Sequence, residues 1–343
     1  MSNLLTNSRR STFRACRRLH QLEYLEGFRP VRQAEYFTFG NLIHAGIEAW
    51  WTTWRDLPGG TELPAALALM DASAAMAIDA YPDSDPLLKL QARTLMLGYR
   101  QLWGDLGDWQ VLAIERNFSG PLINPDTMHP SRTWLLAGKL DLILHHLPTG
   151  QVHLSEHKTT TDSFTDDSDH YWLRLAMDSQ LTQYVIGAEI LGWRITHITY
   201  DVIRRPKVQP KKATPEAQRK YCKTGPRQGQ LHAGQRYEDE TLGEYQVRLA
   251  GLVASEASHY YRRRTFARLD SEVQAGLADA WDEGKEMREA ERTGRHPRNP
   301  DACLRYGTCP YYECCSLGVD PSTSTRFKRL DNVHPELDLE EIQ

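Results

Sequence analysis

Two apolar runs separated by a three-residue turn constrain this chain most. Trp134–Leu147 (WLLAGKLDLILHHL) and Gln151–Lys158 (QVHLSEHK) flank Pro148-Thr149-Gly150. Strand-forming runs around a Pro/Gly turn predict an antiparallel hairpin. The first run embeds Asp141 among leucines and an isoleucine, where a solvated carboxylate is out of place. The second carries Glu156 and Lys158 two positions apart, hence on one face of the strand. Pairing across the turn brings Asp141 towards both. Two carboxylates and a lysine on one strand face are expensive to bury dry and unpaired, and a divalent cation resolves that cost. Mg²⁺ or Mn²⁺ takes oxygen ligands and keeps several waters. Asp141 and Glu156 are the expected ligands, with the His157 backbone carbonyl a third. Lys158 is expected to hold or help deprotonate a metal-bound water and to stabilise the charged transition state. The bland alternative is a surface hairpin bearing an Asp and a Glu–Lys pair, and the apolar flanks of Asp141 argue against it.

The rest of the chain changes period around this hairpin. Ser11 to about Trp54 reads as two helical pieces, the second opening near Phe39-Gly40. Residues 62–80 and Leu87 to about Leu106 read as further helices, Trp109–Phe118 as a strand, Tyr171–Leu191 as one long helix and Arg194–Arg204 as a strand. Residues 204–227 hold nine Lys/Arg against one acid, Glu216, with four prolines, and read as a poorly ordered basic loop. Two helices, 238–263 and 270–292, precede a cysteine-rich segment, and the tail Asp331–Gln343 is acidic and expected to fray. The order predicts an α/β fold, a small mixed central sheet flanked by helices, in a single domain spanning 1–343. Its parts are an N-terminal helical part (11–106), a sheet core (107–205), the basic loop (206–235), a helical part (236–300), the cysteine segment (301–318) and the acidic tail (331–343).

With 343 residues, 40% of them hydrophobic, a sizeable core is available, and a net charge of −4 means that any nucleic-acid surface must be local. No run approaches eighteen uninterrupted apolar residues and the N-terminus carries no apolar h-region, so no membrane span and no secretory leader are expected; the expected location is cytoplasmic.

Gly-Lys-Leu-Asp141 followed by Glu156-His157-Lys158 resembles the PD-(D/E)XK nuclease signature in its RecB-like form. Leu140 stands where the family has proline, the weakest element of the signature. Gly40-Asn41-Leu42-Ile43-His44 resembles the upstream G-x-x-x-His element, whose histidine is a further metal ligand. Gln180-Leu181-Thr182-Gln183-Tyr184 resembles the downstream Q-x-x-x-Y element, and i, i+4 spacing puts Gln180 and Tyr184 on one helix face, within reach of the lysine or a phosphate. By itself a histidine on an apolar helix face is more often a satisfied core residue; beside the other elements His44 reads as the ligand. Glu115, on the strand before the hairpin, would hold a second metal or orient the first, or is simply an exposed strand residue.

Ser11-Thr12-Phe13-Arg14-Ala15-Cys16 resembles the family's opening S-x-x-x-x-C. Cys303, Cys309 and Cys315, spaced by five residues each, are not a zinc knuckle. With Cys16 they resemble the four-thiolate set of iron–sulfur exonucleases of the AddB, CRISPR-associated and phage types, which hold a [4Fe–4S] cluster. Such a cluster would clasp the N- and C-terminal helical parts of a restriction-endonuclease-like core. Cys314 is the alternative to Cys315, zinc the alternative to iron, and Cys222 reads as a free thiol. The resemblance implies a metal-dependent DNA exonuclease acting on single strands or duplex ends, in phage or bacterial recombination and repair, with a single-strand annealing protein as a plausible partner. An endonuclease or flap nuclease of the same fold, or a non-catalytic DNA-binding subunit, are the rivals. Phosphate contacts are expected from the basic loop and from Arg14, Arg17 and Arg18. Trp50, Trp51, Trp54, Tyr171 and Trp172 read as helix-core packing ahead of a base-stacking surface.

Overall fold

Residues 109–160 form three long strands, the last two buried on both faces in their middles, residues 140–144 and 154–157 without a break, and those strands organise everything else. The computed structural model describes residues 3–32, 35–82, 84–164, 166, 169–305 and 307–340; Tyr306 of the cysteine segment and residues 341–343 of the acidic tail lie outside it. The chain opens with β1 (Leu4–Leu5), α1 (Asn7–Ala15), α2 (Arg17–His20), a π-helical turn and β2 (Phe28–Pro30). Three helices follow: α3 (Glu35–Asp56), α4 (Leu63–Ala80) and α5 (Pro86–Tyr99). Next come β3 (Trp109–Ile123), β4 (Pro130–His146), β5 (Gln151–Thr160), α6 (His170–Ala176), α7 (Ser179–Ile190) and β6 (His197–Arg204). The last elements are α8 (Leu242–Ser255), α9 (Ala257–Tyr260), β7 (Tyr261–Phe266), α10 (Asp270–Thr293), α11 (Tyr312–Ser316) and β8 (Phe327–Arg329).

The central sheet is mixed and flanked by helices, as expected. One edge of β4 pairs antiparallel with β3; the other pairs parallel with β1 at Leu135 and Leu136, then antiparallel with β5 from Leu142 to His146. β5 runs parallel to β6, and β6 antiparallel to β7. The β4–β5 ladder ends at Leu142 opposite Ser155, while β5 stays paired with β6 as far as Thr160. The two strands therefore part where Asp141 and Glu156 sit.

Trp50, Trp51, Met70, Tyr99 and Tyr245, from α3, α4, α5 and α8, pack with Leu142, Leu144 and Ile203 on one face of the sheet. Trp172, Leu181 and Tyr184, from α6 and α7, pack with Phe118, Ile143, Leu154 and Val202 on the other. Helix α7 comes close because Gly187 and Gly138 have no side chain: a Cβ on either would stand 2.5 or 2.7 Å from the Phe118 ring. The packing reading of the aromatics holds, since Trp50, Trp51 and Trp172 are wholly buried and Trp54 is partly buried.

Several expectations need correction. The helix expected over Tyr171–Leu191 is two helices, because the Asp178 side chain accepts from Gln180 N and starts α7 afresh. The helix expected over 238–263 ends early: a Thr241–Glu244 capping box opens α8, and Tyr261–Phe266 leaves as strand β7. Phe39 and Gly40 lie inside α3, which begins at Glu35. The acidic tail does not fray as a whole, since His334 is buried and Leu337 packs on Leu4 and Ala137. The basic loop is irregular but internally bonded, with Thr214 N to Arg236 O and Cys222 N to Gln230 O, both 2.9 Å. By length and composition α4 is apolar enough to cross a membrane, contrary to the reading from uninterrupted runs. Here it buries Ala66, Met70, Ala74 and Ile78, and its Asp71 accepts from Trp50 Nε1 at 3.0 Å.

The chain's two ends meet in a second sheet. Phe28 pairs with Arg329 and Pro30 with Phe327, so β2 and β8 form an antiparallel ribbon over Leu22, Tyr311 and Phe327.

Candidate active site

Asp141 lies in β4, 7% exposed, and its Oδ2 accepts the backbone N–H of His157 at 2.9 Å. His44, one-third exposed, projects from α3 and places Nδ1 3.7 Å from Asp141 Oδ2 and 3.5 Å from Glu115 Oε1. Glu115 sits in β3 with φ of +47°, between the pairs Ile114–Leu142 and Arg116–Leu140. A left-handed backbone at a glutamate costs about 1–3 kcal/mol and signals a strand bent for a purpose; here Glu115 takes part in the cluster instead of serving as a plain surface residue. Ligand atoms of His44, Glu115 and Asp141 all lie within 4.8 Å of one another, and no other such group of three or more His, Cys, Asp or Glu occurs among the described residues.

Across the gap, Glu156 is 2% exposed. Its Oε1 accepts from Lys158 Nζ at 2.7 Å and from Gln180 Nε2 at 2.9 Å, while its Oε2 is buried with no protein partner. Gln180 also accepts from Lys158 Nζ at 2.6 Å and donates to the Tyr184 hydroxyl at 2.7 Å. The first turn of α7 thus grips the lysine, and the helix break at Asp178 is what delivers Gln180 there.

The electrostatics of the two carboxylates diverge. Burial pushes the Glu156 carboxyl up, Asp141 adds to the rise, and Lys158 opposes it, leaving it at about 8. Asp141 is equally buried, but His44 and His157 hold it well below the usual carboxylate range. Burial pulls the His44 imidazole down, yet Asp141 and Glu115 outweigh that and push it to about 9. Burial and the neighbouring Asp141 thus oppose a second anion here, and a divalent metal would neutralise both carboxylates with one ion. The orphaned Glu156 oxygen, two further carboxylates and one imidazole suit Mg²⁺ or Mn²⁺, which favour oxygen donors.

The sequence model of the PD-(D/E)XK nuclease superfamily matches residues 5–316. This chain belongs to that superfamily. No curated protein matches the sequence. Membership implies a metal-dependent nuclease that hydrolyses phosphodiester bonds in DNA with Mg²⁺ or Mn²⁺, and the cluster above supplies a candidate metal site.

Sequence reasoning missed the buried network behind this nuclease site. The His157 imidazole turns away from Glu156, its Nε2 2.9 Å from the Tyr99 hydroxyl and 3.7 Å from Asp201 Oδ2. Tyr99 also accepts from Trp51 Nε1 at 3.0 Å. Asp201, fully buried on β6, is clamped by Arg263 Nε and Nη2, each at 2.6 Å, and accepts from Ser155 Oγ. An aspartate inside the apolar run HITYDVIR carried the same signal as Asp141 and went unread.

The cysteines divide. Asn299 N donates to Cys16 Sγ at 3.4 Å, Cys303 Sγ lies 3.6 Å from Asn299 O, and Cys309 N donates to Cys303 O. Burial pushes the Cys309 thiol up, and Cys303, Cys315 and Cys16 raise it further; burial also lifts Cys315, with Arg18 opposing and Cys16 and Cys303 adding. All six cysteines are free thiols, and Cys222 lies apart in the basic segment. The arginines beside Cys16 are less available to phosphates than their sequence suggests. Arg14 pairs with Glu283 at 2.7 Å, Arg17 with Glu286 at 2.6 Å, and Arg18 lies 3.6 Å from Glu26.

Proposed function

We propose that this protein is a DNA exonuclease that hydrolyses phosphodiester bonds in single strands or at duplex ends. His44, Glu115, Asp141 and Glu156, with the His157 carbonyl, would hold Mg²⁺ or Mn²⁺. When bound, the cation acidifies a water and neutralises a phosphate oxygen. Lys158 is the group that orients the attacking water and meets the charge developing on phosphorus. Gln180 fixes the ammonium and Tyr184 fixes Gln180, so the lysine arrives preorganised. The observation that carries this reading is the buried, partnerless Glu156 Oε2 beside Lys158 Nζ, within electrostatic reach of Asp141 and His44.

Cys16, Cys303, Cys309 and Cys315 would hold a [4Fe–4S] cluster, as the RecB-like resemblance implies. The four sulfurs form no ligand group of the closeness seen at His44, Glu115 and Asp141 among the described residues. What supports the reading is the spacing of Cys303, Cys309 and Cys315, and Asn299, whose N–H donates to Cys16 Sγ and whose carbonyl lies 3.6 Å from Cys303 Sγ. Residues 1–343 would then form one nuclease domain of the RecB-like type, working in the cytoplasm in recombination or repair beside a single-strand annealing protein. The deciding experiment incubates end-labelled linear and covalently closed circular DNA with Mg²⁺ or Mn²⁺, using protein purified without oxygen. Loss of linear DNA with circles intact is expected. Cleaved circles would show an endonuclease, and intact DNA of every form would overturn the catalytic reading. Iron analysis and a brown charge-transfer band test the cluster; zinc, or no metal, would remove it.

A further inference from the structure

Tyr36 and Phe37 open α3 with rings 4.3 Å apart between centroids and inclined by 35°. They are 53% and 56% exposed, and Phe37 is the one exposed phenylalanine among the described residues. Two touching aromatic rings left in water forgo the burial that drives folding, and exposed apolar patches of this kind mark binding surfaces.

Their position says what binds. Helical spacing puts Tyr36, Gly40 and His44 on one face of α3. From Tyr36 to His44 the helix rises about 12 Å. Gly40 lies against β5, where a Cβ would stand 3.3 Å from Thr159 Oγ1, next to Lys158. The face thus runs from the aromatic pair, over a residue with no side chain, to the imidazole of the catalytic cluster. One cation borders it: Arg205 N donates to Thr160 O at 2.8 Å, and its guanidinium lies 5.5 Å from the Phe39 ring centroid and pairs with the exposed Glu35 at 3.1 Å, a partner that a phosphate would have to displace. Flat rings beside a cation, continuous with a phosphodiester-cleaving site, match a strand whose bases are free to stack. Duplex bases already stack on one another and offer no such face within the helix.

We propose that Tyr36 and Phe37 form a stacking platform for unpaired bases of the strand held at the catalytic cluster, so that the substrate is single-stranded DNA. This rests on the nuclease reading above. The platform accepts any base, since stacking carries little sequence preference.

The test pairs protein and DNA changes. A fluorescein-labelled single strand of mixed sequence is titrated with the full-length protein in EDTA, so that no cleavage occurs, and an abasic site is moved along the strand. One abasic position is expected to weaken wild-type binding about tenfold. The double variant Tyr36→Ala/Phe37→Ala should bind the intact strand about tenfold or more weakly, ignore the abasic position, and melt at the wild-type temperature. The variant Tyr36→Ala/Phe37→Trp should restore both affinity and abasic sensitivity. Wild-type indifference to every abasic position, or undiminished sensitivity in the double variant, would overturn the proposal. So would unchanged DNA binding with altered self-association, which would make the pair a contact between copies of this chain. A wild-type protein that binds single strands with the expected abasic pattern but cleaves nothing would sink the nuclease reading and leave the platform standing.

Discussion

Strand β5 carries ionisable side chains on both faces, and the two faces treat charge in opposite ways. Towards α5, the two groups nearest the site have their partners: Asp201 takes two hydrogen bonds from Arg263 and one from Ser155, and His157 meets Tyr99. Towards α7, Glu156 has one oxygen held by Lys158 and Gln180 and the other left bare. Both faces are dry enough to make an unmet charge costly. Where the protein supplies every partner, the charge serves the fold; a bare acceptor beside a lysine is the arrangement that suits a bound cation. An orphaned acceptor next to a fixed lysine is thus a sharper mark of chemistry than acidity alone.

This contrast can be broken at either face. The largest effect is expected from Asp141→Ala, Glu156→Ala or Lys158→Ala, each lowering DNA cleavage at least about a thousandfold in an end-labelled assay while circular dichroism shows the fold retained. A variant of the three that cleaves at the normal rate loses its assigned role. On the closed face, Asp201→Ala strands the Arg263 guanidinium and should cost about 3–5 kcal/mol in urea unfolding. A loss below 1 kcal/mol would mean that solvent already screens the pair. Gln180→Ala should leave folding intact and slow cleavage about tenfold, because Lys158 loses one of two anchors; a normal rate would show that Glu156 alone suffices.

The smallest effect concerns pH. His153 lies on the α5 side at the far end of β5, its Nε2 buried without a protein partner and its ring stacked on His197 with centroids 4.5 Å apart. Burial pulls its imidazole down to about 4, with His197 and His146 adding to the fall. The folded state therefore binds this proton less readily than the unfolded chain, in which an imidazole titrates near 6.5. Its contribution is complete above about pH 6.5 and drains away as pH falls towards 4. Going from pH 7 to 5 should cost about 1 kcal/mol of stability after allowance for partial exposure, and His153→Leu should flatten that slope. An unchanged slope would place the acid sensitivity elsewhere.

The sequence made the site legible where chemistry and periodicity coincide. Asp141 stood out because its strand is otherwise apolar, Glu156 and Lys158 because alternation puts them on one face, and Gln180 and Tyr184 because four residues make a helical turn. Glu115 was left open because alternation alone cannot foresee a positive φ. β7 was missed because YRRRTF has no apolar alternation; its register comes from pairing with β6 and from Arg263 reaching Asp201, partners 62 residues apart. β1 is two residues long, too short for any period, and the tail's return to Leu4 depends on a surface that exists only once the sheet has formed. The break at Asp178 was written in its side chain, an N-cap type ahead of Ser-Gln, but the apolar pattern runs on through it. Tyr36 and Phe37 were passed over because exposure, which sets them apart from Trp50 and Trp51, has no signature in residue type.

The ribbon of β2 on β8 has a consequence for how the molecule is made. Phe28 leaves the ribosome just over three hundred residues ahead of Arg329, and Leu4 well over a hundred ahead of Leu135. Each early strand must wait, unpaired and sticky, for a partner not yet translated. Pairings so distant along the chain slow folding and lengthen the time for which apolar edges stand open to aggregation. Recombinant yield should therefore respond more to chaperone supply and growth temperature than to any change on the finished surface.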